Sequence, residues 1–366
     1  MALKSLSLQN FRNYKKASFD VSPNLTLIVG KNTAGKTNFI EAIYYLSHGK
    51  SFKTEKDIEA IFSGKEIGKV SALTDTTKLE VILANLPERF SKRLLVNGIS
   101  RRRGDFMGNL LSVLFSPEDL NLIIGSPYLR RSFLNDVLEQ IDKEYRFASI
   151  AYDKALRQRN SLLQKIKETG IRKREEFIYW DNLLIKNGQV ITKKREDFIQ
   201  FINRSKKKLF VLKAVYDHSK ISEERLLEYK EAEEGSGVTL VGPHRDDFFV
   251  LFEERPPFAK ASTDDKSLAD RSDGQGRNLK SFGSRGQQRL AILQLKILQL
   301  DFIEESLGER PLLLLDDIFS ELDSSHIDLV MENINRQQTI ITTTHKEFVE
   351  KRLKNLEVIE LENGKN

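Results

Sequence analysis

The stretch Gly30-Lys31-Asn32-Thr33-Ala34-Gly35-Lys36-Thr37 is a complete G-x-x-x-x-G-K-[ST]. Glycines without side chains let backbone N–H groups curl around phosphate oxygens, and the helix start that follows adds a partial positive charge at the same point. Lys36 would reach the β and γ phosphates of a nucleoside triphosphate, and the Thr37 hydroxyl would be a ligand for Mg²⁺. Gly30 through Asn38 are therefore the expected nucleotide-binding residues, with ATP and Mg²⁺ as the cofactors.

Two carboxylates complete this chemistry. In "RPLLLLDDIFSELD" the four leucines Leu312 to Leu315 end in Asp316 and Asp317. Asp316 is expected in the metal shell, and Asp317 is expected to orient or deprotonate the attacking water. Further on, "QQTIITTTHKEF" leads into His345, placed to sense a γ-phosphate. The expected catalytic set is Asp317, Lys36 and His345.

These residues need a sheet edge to meet at. Leu25 to Val29 is a short β-capable run ending at Gly30. Asn38 to Leu46 carries Phe39, Ile40, Ile43, Tyr44 and Leu46 at helical spacing. Leu312 to Leu315 and the β-branched Thr339 to Thr344 predict two more strands. In a parallel sheet the strands deliver their ligands at the carboxyl ends, so the phosphate loop and both aspartates would converge there. A different turn, "SFGSRGQQRL", opens a helix whose apolar positions are Leu290, Ile292, Leu293, Leu295, Ile297, Leu298 and Leu300. A polar, glycine-containing turn thus opens an apolar helix, a form suited to holding something.

At 366 residues, with 39% hydrophobic and 31% charged residues, the chain is long enough for a large core and more than one domain. No apolar run approaches a membrane span, and no signal-peptide core opens the chain, so a cytoplasmic location and no membrane partner are expected. Zero cysteines exclude disulfides, a thiol nucleophile and thiolate-bound zinc. The net charge of +6 is unevenly placed: Ile141 to Phe210 holds 18 Lys/Arg against 9 Asp/Glu. This region also carries two heptad-like stripes. The first is Leu134, Leu138, Ile141, Tyr145, Ala148, Tyr152, Ala155, Arg159, Leu162 and Ile166. The second, after Gly170, is Phe177, Trp180, Leu184, Ile191, Phe198 and Ile202. They predict two antiparallel helices of about 35 residues, roughly 50 Å long, with Gly188 as a possible break.

In chain order, the phosphate loop, Ser284-Arg285-Gly286-Gln287-Gln288, Leu312 to Asp317, Ser320-Glu321-Leu322-Asp323 and His345 resemble an ABC-type ATPase head. The resemblance implies that Ser284, Arg285, Gly286 and Gln287 form a signature capping the γ-phosphate held by a partner subunit. It also implies that Ser320 and Asp323 belong to a D-loop, and that the protein is an ATP-dependent homodimer. The long helical insertion, "LQNFRNY", "SPEDL…GSP", "GPHRDD" and "GSRGQQR" narrow it further. The chain resembles the RecF family, bacterial recombination mediators related to the SMC and Rad50 ATPases. The expected fold is α/β, an ABC-ATPase head of a phosphate-loop sheet with helices, interrupted by a mainly helical arm. The expected divisions are 1–125 and 236–366 for the head and 126–235 for the arm.

The family's role implies ATP-driven clamping of double-stranded DNA near single-strand gaps, at ssDNA–dsDNA junctions. RecR and RecO would be partners in loading RecA, and a weak, DNA-stimulated ATPase would release the clamp. Arg12, in "NFRNY", corresponds to an arginine that approaches the nucleotide in related heads. Asp317 stands where transporters have glutamate, and Arg285 where they prefer glycine. Cations expected at DNA are Arg101, Arg102, Arg103, Arg130, Arg131, Lys206, Lys207 and Lys208, without base readout. "GPHRDD" has Val238 to Val241 before it as a strand, and its His244, Arg245 and Asp246 would either contact DNA or lock the arm onto the head. The polar segment between Glu254 and Phe282 is expected to be a mobile loop. A structural DNA tether of SMC or Rad50 type, or an ABC-type subunit of another assembly, are the alternatives.

Overall fold

The computed structural model describes residues 2–171, 174–252, 276–318, 334, 336–344, 346–350 and 356–361. The chain divides into two compact units. The first holds residues 1–119, 139–143 and 299–366, and the second 120–138 and 144–298. Residues 236–298, expected with the head, thus group with the helical region.

The first unit is built on two sheets. An antiparallel sheet has the order β2 (Tyr14–Asp20), β1 (Leu3–Phe11), β4 (Ile67–Thr74), β5 (Lys78–Leu86), β6 (Arg89–Val96), β7 (Ile99–Arg101). A parallel sheet has the order β14 (Glu357–Leu361), β3 (Leu25–Gly30), β13 (Thr339–Thr343), β12 (Leu312–Asp316), β8 (Ser112–Phe115). Helix α1 (Lys36–His48) shares one core with both sheets: its Phe39, Ile40, Ile43, Tyr45 and Leu46 cluster with Leu6, Leu8 and Val70 of the first and Ile28, Leu314 and Ile340 of the second. The helical spacing predicted a single apolar face. Instead every residue from Phe39 to His48 is buried, the pattern of a helix covered on several sides. All of β12 and β13 is buried, as strands of a covered parallel sheet should be.

The second unit carries α2 (Pro127–Ile141, which ends in the first unit), α3 (Lys143–Thr169) and α4 (Arg174–Arg204). A small sheet follows, in the order β11 (Arg277–Asn278), β10 (Asp247–Phe252), β9 (Leu212–Asp217). The long helices are antiparallel. Arg195 bonds Tyr145 near one end, Arg159 bonds Asp181 further along, and Leu163 and Ile166 pack with Phe177 beyond. At 27 and 31 residues they are shorter than expected, about 40 and 46 Å at 1.5 Å per residue. Leu163 takes the core position expected of Leu162.

Gly188 breaks nothing, since α4 is continuous through it. A Cβ there would lie 2.6 Å from Ile221 and 3.1 Å from the Tyr152 ring, so glycine is needed for close approach. Val238 to Val241 is not a strand. Side chains replace a sheet ladder: Asn160 accepts from Thr239 N, and Glu233 from Leu240 N. Most of the segment expected as a mobile loop, 253–275, lies outside the described residues. Among the described residues no helix is long and apolar enough to cross a membrane.

Candidate functional site

The phosphate loop leaves β3 and enters α1 through two left-handed residues, Thr33 (φ 73°) and Gly35 (φ 103°). Gly35 is required twice over, because a Cβ would meet the Asn13 amide and the Tyr14 hydroxyl at 2.8 Å. The Tyr14 hydroxyl donates to the Gly35 carbonyl at 3.0 Å. Lys36 folds back into the loop, its Nζ donating to the carbonyls of Gly30 (2.7 Å) and Lys31 (3.1 Å). Burial pulls this ammonium below its usual value, against the opposing charges of Asp317 and Asp316. Both aspartates stand at the end of β12, Asp316 as its last residue and Asp317 directly after it.

Asp316 is 4% exposed. Its Oδ1 accepts from Thr37 Oγ1 at 3.1 Å and from Thr342 Oγ1 at 2.7 Å. Burial raises its carboxyl above the usual range, opposed by these two hydroxyl bonds and by the charge of Lys53. Asp317 follows in a left-handed conformation (φ 49°), its N–H held by the Thr342 hydroxyl at 3.1 Å. Among the described residues no group of three or more His, Asp or Glu could hold a metal. The Thr37 hydroxyl and the Asp316 carboxylate are nevertheless the hard oxygen donors that Mg²⁺ takes, with room in its preferences for ligand phosphates and water. They fit that ion.

Arg12 (φ 52°) forks onto the Glu41 carboxylate at 2.8 and 2.5 Å and donates to the Glu59 carbonyl at 2.7 Å. Sequence reasoning missed Glu41, and it missed Lys53, whose Nζ donates to Asn38 Oδ1 at 2.9 Å beside the loop. Burial lowers the Lys53 pKa against the charges of Glu41 and Asp316. Neither residue belongs to a motif whose spacing announces a ligand. His345, Ser320 and Asp323 lie outside the described residues.

The signature turn belongs to the second unit and caps α5 (Arg285–Leu307). Ser284 N donates to Gln287 Oε1 at 2.8 Å, and Gln287 N to Ser284 Oγ at 3.3 Å, a reciprocal capping box. Ser284, Arg285 and Gly286 are exposed. A Cβ on Gly286 would meet nothing within 4 Å among the described residues. Residues 291–300 of the helix behind it are all buried, beyond the single predicted stripe.

The expected DNA cations separate into two groups. Arg101, Arg102, Lys206 and Lys208 are exposed. Arg103 is paired with Glu139 at 2.6 Å, and Arg130, 6% exposed, forks onto Asp247 at 2.6 and 2.9 Å. Arg131 donates to the Asp246 carbonyl at 2.8 Å, and Lys207 caps the end of α4 on the carbonyls of Ile202, Asn203 and Ser205. In "GPHRDD" the inward residues hold the arm together. Asp246, 0% exposed, accepts from Arg195 Nη1 at 2.9 Å, from Ser219 N at 2.7 Å and from the Tyr216 hydroxyl. His244 Nδ1 meets the Tyr152 hydroxyl at 2.7 Å.

A model of the RecF/RecN/SMC N-terminal domain family matches residues 2–366. The DNA replication and repair proteins RecF of Clostridium tetani and Lactococcus lactis subsp. cremoris (strain MG1363) are 33% and 35% identical, covering all of this chain and 99% and 98% of their own. A solved structure of the recombination mediator RecF with ATP, of the RecFOR pathway, superposes with a TM-score of 0.81 at 32% identity, covering 95% of this chain and 93% of that one. An Smc head domain from Pyrococcus furiosus shares the fold, with a TM-score of 0.52 at 17% identity. With an ABC-type phosphate-loop sheet, a helical arm and whole-length similarity to these proteins, the chain belongs to the RecF family.

Proposed function

We propose that the protein is an ATP-dependent DNA clamp of recombinational repair, acting with RecR and RecO as a recombination mediator. The observation that carries this reading is the Thr37–Asp316 contact next to Lys36, at the end of the parallel sheet. There a buried carboxylate has hydroxyl partners and the loop lysine bonds only carbonyls that a triphosphate can replace. Mg²⁺, when bound, supplies positive charge to the phosphates and the leaving oxygen. Thr37 and Asp316 would hold it, Lys36 would turn from the loop carbonyls to the β and γ phosphates, and Asp317 would orient water for slow hydrolysis. The similarity to a RecF solved with ATP supports ATP as the ligand.

The signature turn supplies the second half of the site in trans. Ser284 offers its hydroxyl and Gly286 its N–H to the γ-phosphate on a partner subunit, so ATP joins two copies and hydrolysis parts them. Exposed Arg101, Arg102, Lys206 and Lys208 then meet the DNA backbone without reading bases, near single-strand gaps. RecR and RecO turn the clamp toward loading RecA.

The test is ATP turnover against protein concentration, with and without a gapped duplex, for the wild type and Ser284→Arg. The expected result is a rate per subunit that rises with concentration and with DNA and collapses in the variant. A flat rate, indifferent to DNA and surviving Ser284→Arg, overturns the reading.

A further inference from the structure

Two branches of polar contacts beside the phosphate loop share a root in Glu41, on α1 and 0% exposed. A carboxylate so buried is tolerable only when paired with a cation and hydrogen-bonded. Both conditions are met by groups that belong to the site. On one side Arg12 forks onto both oxygens (2.8 and 2.5 Å) and anchors its third donor on Glu59 O (2.7 Å). A guanidinium has five N–H donors, so this grip fixes its plane and leaves two for an anionic ligand. On the other side Ser51 Oγ donates to Glu41 Oε1 at 2.5 Å while accepting from the backbone N–H groups of Lys53 (2.9 Å) and Thr54 (3.2 Å). The loop so folded carries Lys53 to Asn38 Oδ1 at 2.9 Å. Asn38 donates to Asn13 at 2.9 Å, and Asn13 to the carbonyl of Thr33 at 3.4 Å. Thr33 is one of the two left-handed residues that shape the phosphate loop.

We propose that Glu41 is a positioning residue of the nucleotide site: its buried carboxylate sets the plane of Arg12 and, through Ser51, the loop whose Lys53 braces Asn38 and the phosphate loop. The inference rests on the ATP reading above and adds to it a residue that no nucleotide needs to touch. A carboxylate is required because both branches end on it at once. Arg12 reaches both oxygens and Ser51 shares one of them, so the N–H₂ of a neutral amide faces an Arg12 donor in either orientation and breaks the fork.

The experiment is steady-state ATP hydrolysis and equilibrium binding of a fluorescent ATP analogue by full-length wild type, Glu41→Gln, Arg12→Ala and the double variant, with melting temperatures measured alongside. Expected is a rise of about tenfold in KM and in the analogue's dissociation constant for Glu41→Gln, with kcat within about twofold. The double variant loses clearly less than the product of the single losses, because Glu41 acts partly through Arg12. A lowered melting temperature with unchanged KM, or single losses that simply multiply, overturns the proposal and leaves Glu41 a core ion pair. If Glu41→Gln does not fold, Ser51→Ala severs only the second branch. A KM raised about threefold supports the relay, and an unchanged one overturns it. Wild type that fails to bind the analogue overturns the ATP reading itself, whereas wild type that binds it no better than Glu41→Gln overturns this inference alone.

Discussion

Two buried aspartates, one in each unit, show how a site differs from a brace. Asp316 is 4% exposed and held by the hydroxyls of Thr37 and Thr342. Asp246 is 0% exposed and held by the guanidinium of Arg195, the Tyr216 hydroxyl and a backbone N–H. The first is desolvated and bonded by neutral groups, so burial raises its pKa. The second brings its own cation. A buried charge with only neutral bonding partners favours an arriving cation, whereas one already paired can only be broken. Chain position alone would not separate them, since each lies in a motif with a second aspartate following.

The comparison breaks first at Arg195. Arg195→Met leaves Asp246 charged and buried, and is expected to cost about 3–5 kcal/mol of stability. Chemical denaturation measures it, and a loss under about 1 kcal/mol would mean that Asp246 finds other compensation. Asp316→Asn should act in the opposite sense. ATP turnover falls about 10²–10³-fold, roughly 3–4 kcal/mol of barrier. Stability without nucleotide holds or rises, because a carboxyl whose folded pKa is raised is costly to keep ionised at neutral pH. Activity and melting temperature falling together in Asp316→Asn would make it a brace after all.

His244 tests the closed cluster by pH. Burial, with the charges of Arg245, Arg131 and Arg159, pushes its imidazole down to about 4 from 6.5, against the bond to the Thr239 carbonyl. Below pH 6.5 the unfolded chain takes up a proton that the folded one refuses. The stability contribution is whole above 6.5 and is lost as pH falls toward 4, a loss approaching about 3 kcal/mol. In His244→Asn this part of the slope should vanish. Denaturation midpoints between pH 7 and 4.5 decide it, and parallel slopes for the two proteins would refute the assignment.

The same contrast explains what the sequence could show. The phosphate loop, Asp316 and the strands that deliver them were legible because backbone geometry and phosphate chemistry fix both residue types and spacing. Arg159 was visible only as a cation in an apolar stripe. In the structure it is 1% exposed, pairing with Glu233 at 2.7 Å and Asp181 at 2.6 Å. Arg195 continues the second stripe but stands in the charged run "KKRED", where one inward cation looks like its solvated neighbours. Glu41 and Lys53 were hidden for another reason. Their partners lie in the turn after β1, on α1 and in the loop that follows it, and pairing at such separations leaves no periodicity. The antiparallel sheet alternates in sequence, as in "LKSLSLQNF", yet its six-strand order depends on long-range pairing that alternation does not specify.

The smallest expected change in the chain itself is the sharpest test of how the two halves of the site divide. Gly286 sits in the first turn of α5, exposed, with nothing within 4 Å of where a Cβ would stand. Gly283, two residues before the helix, differs: its Cβ would come within 2.6 Å of the Leu279 carbonyl oxygen. Among the described residues, then, Gly286→Ala meets no clash, and it gains helix propensity worth about 0.5–1 kcal/mol. On the function proposed above, a partner's γ-phosphate approaches the backbone there, and a methyl group would stand in its way. The expected outcome is a monomer as stable as wild type or slightly more so, with normal binding of an ATP analogue to its own phosphate loop. Dimer formation with a non-hydrolysable ATP analogue, followed by sedimentation, should nevertheless be lost. Dimers forming as in wild type would show that no partner's phosphate reaches this turn. The capping box of Ser284 and Gln287 would then be a helix start and nothing more.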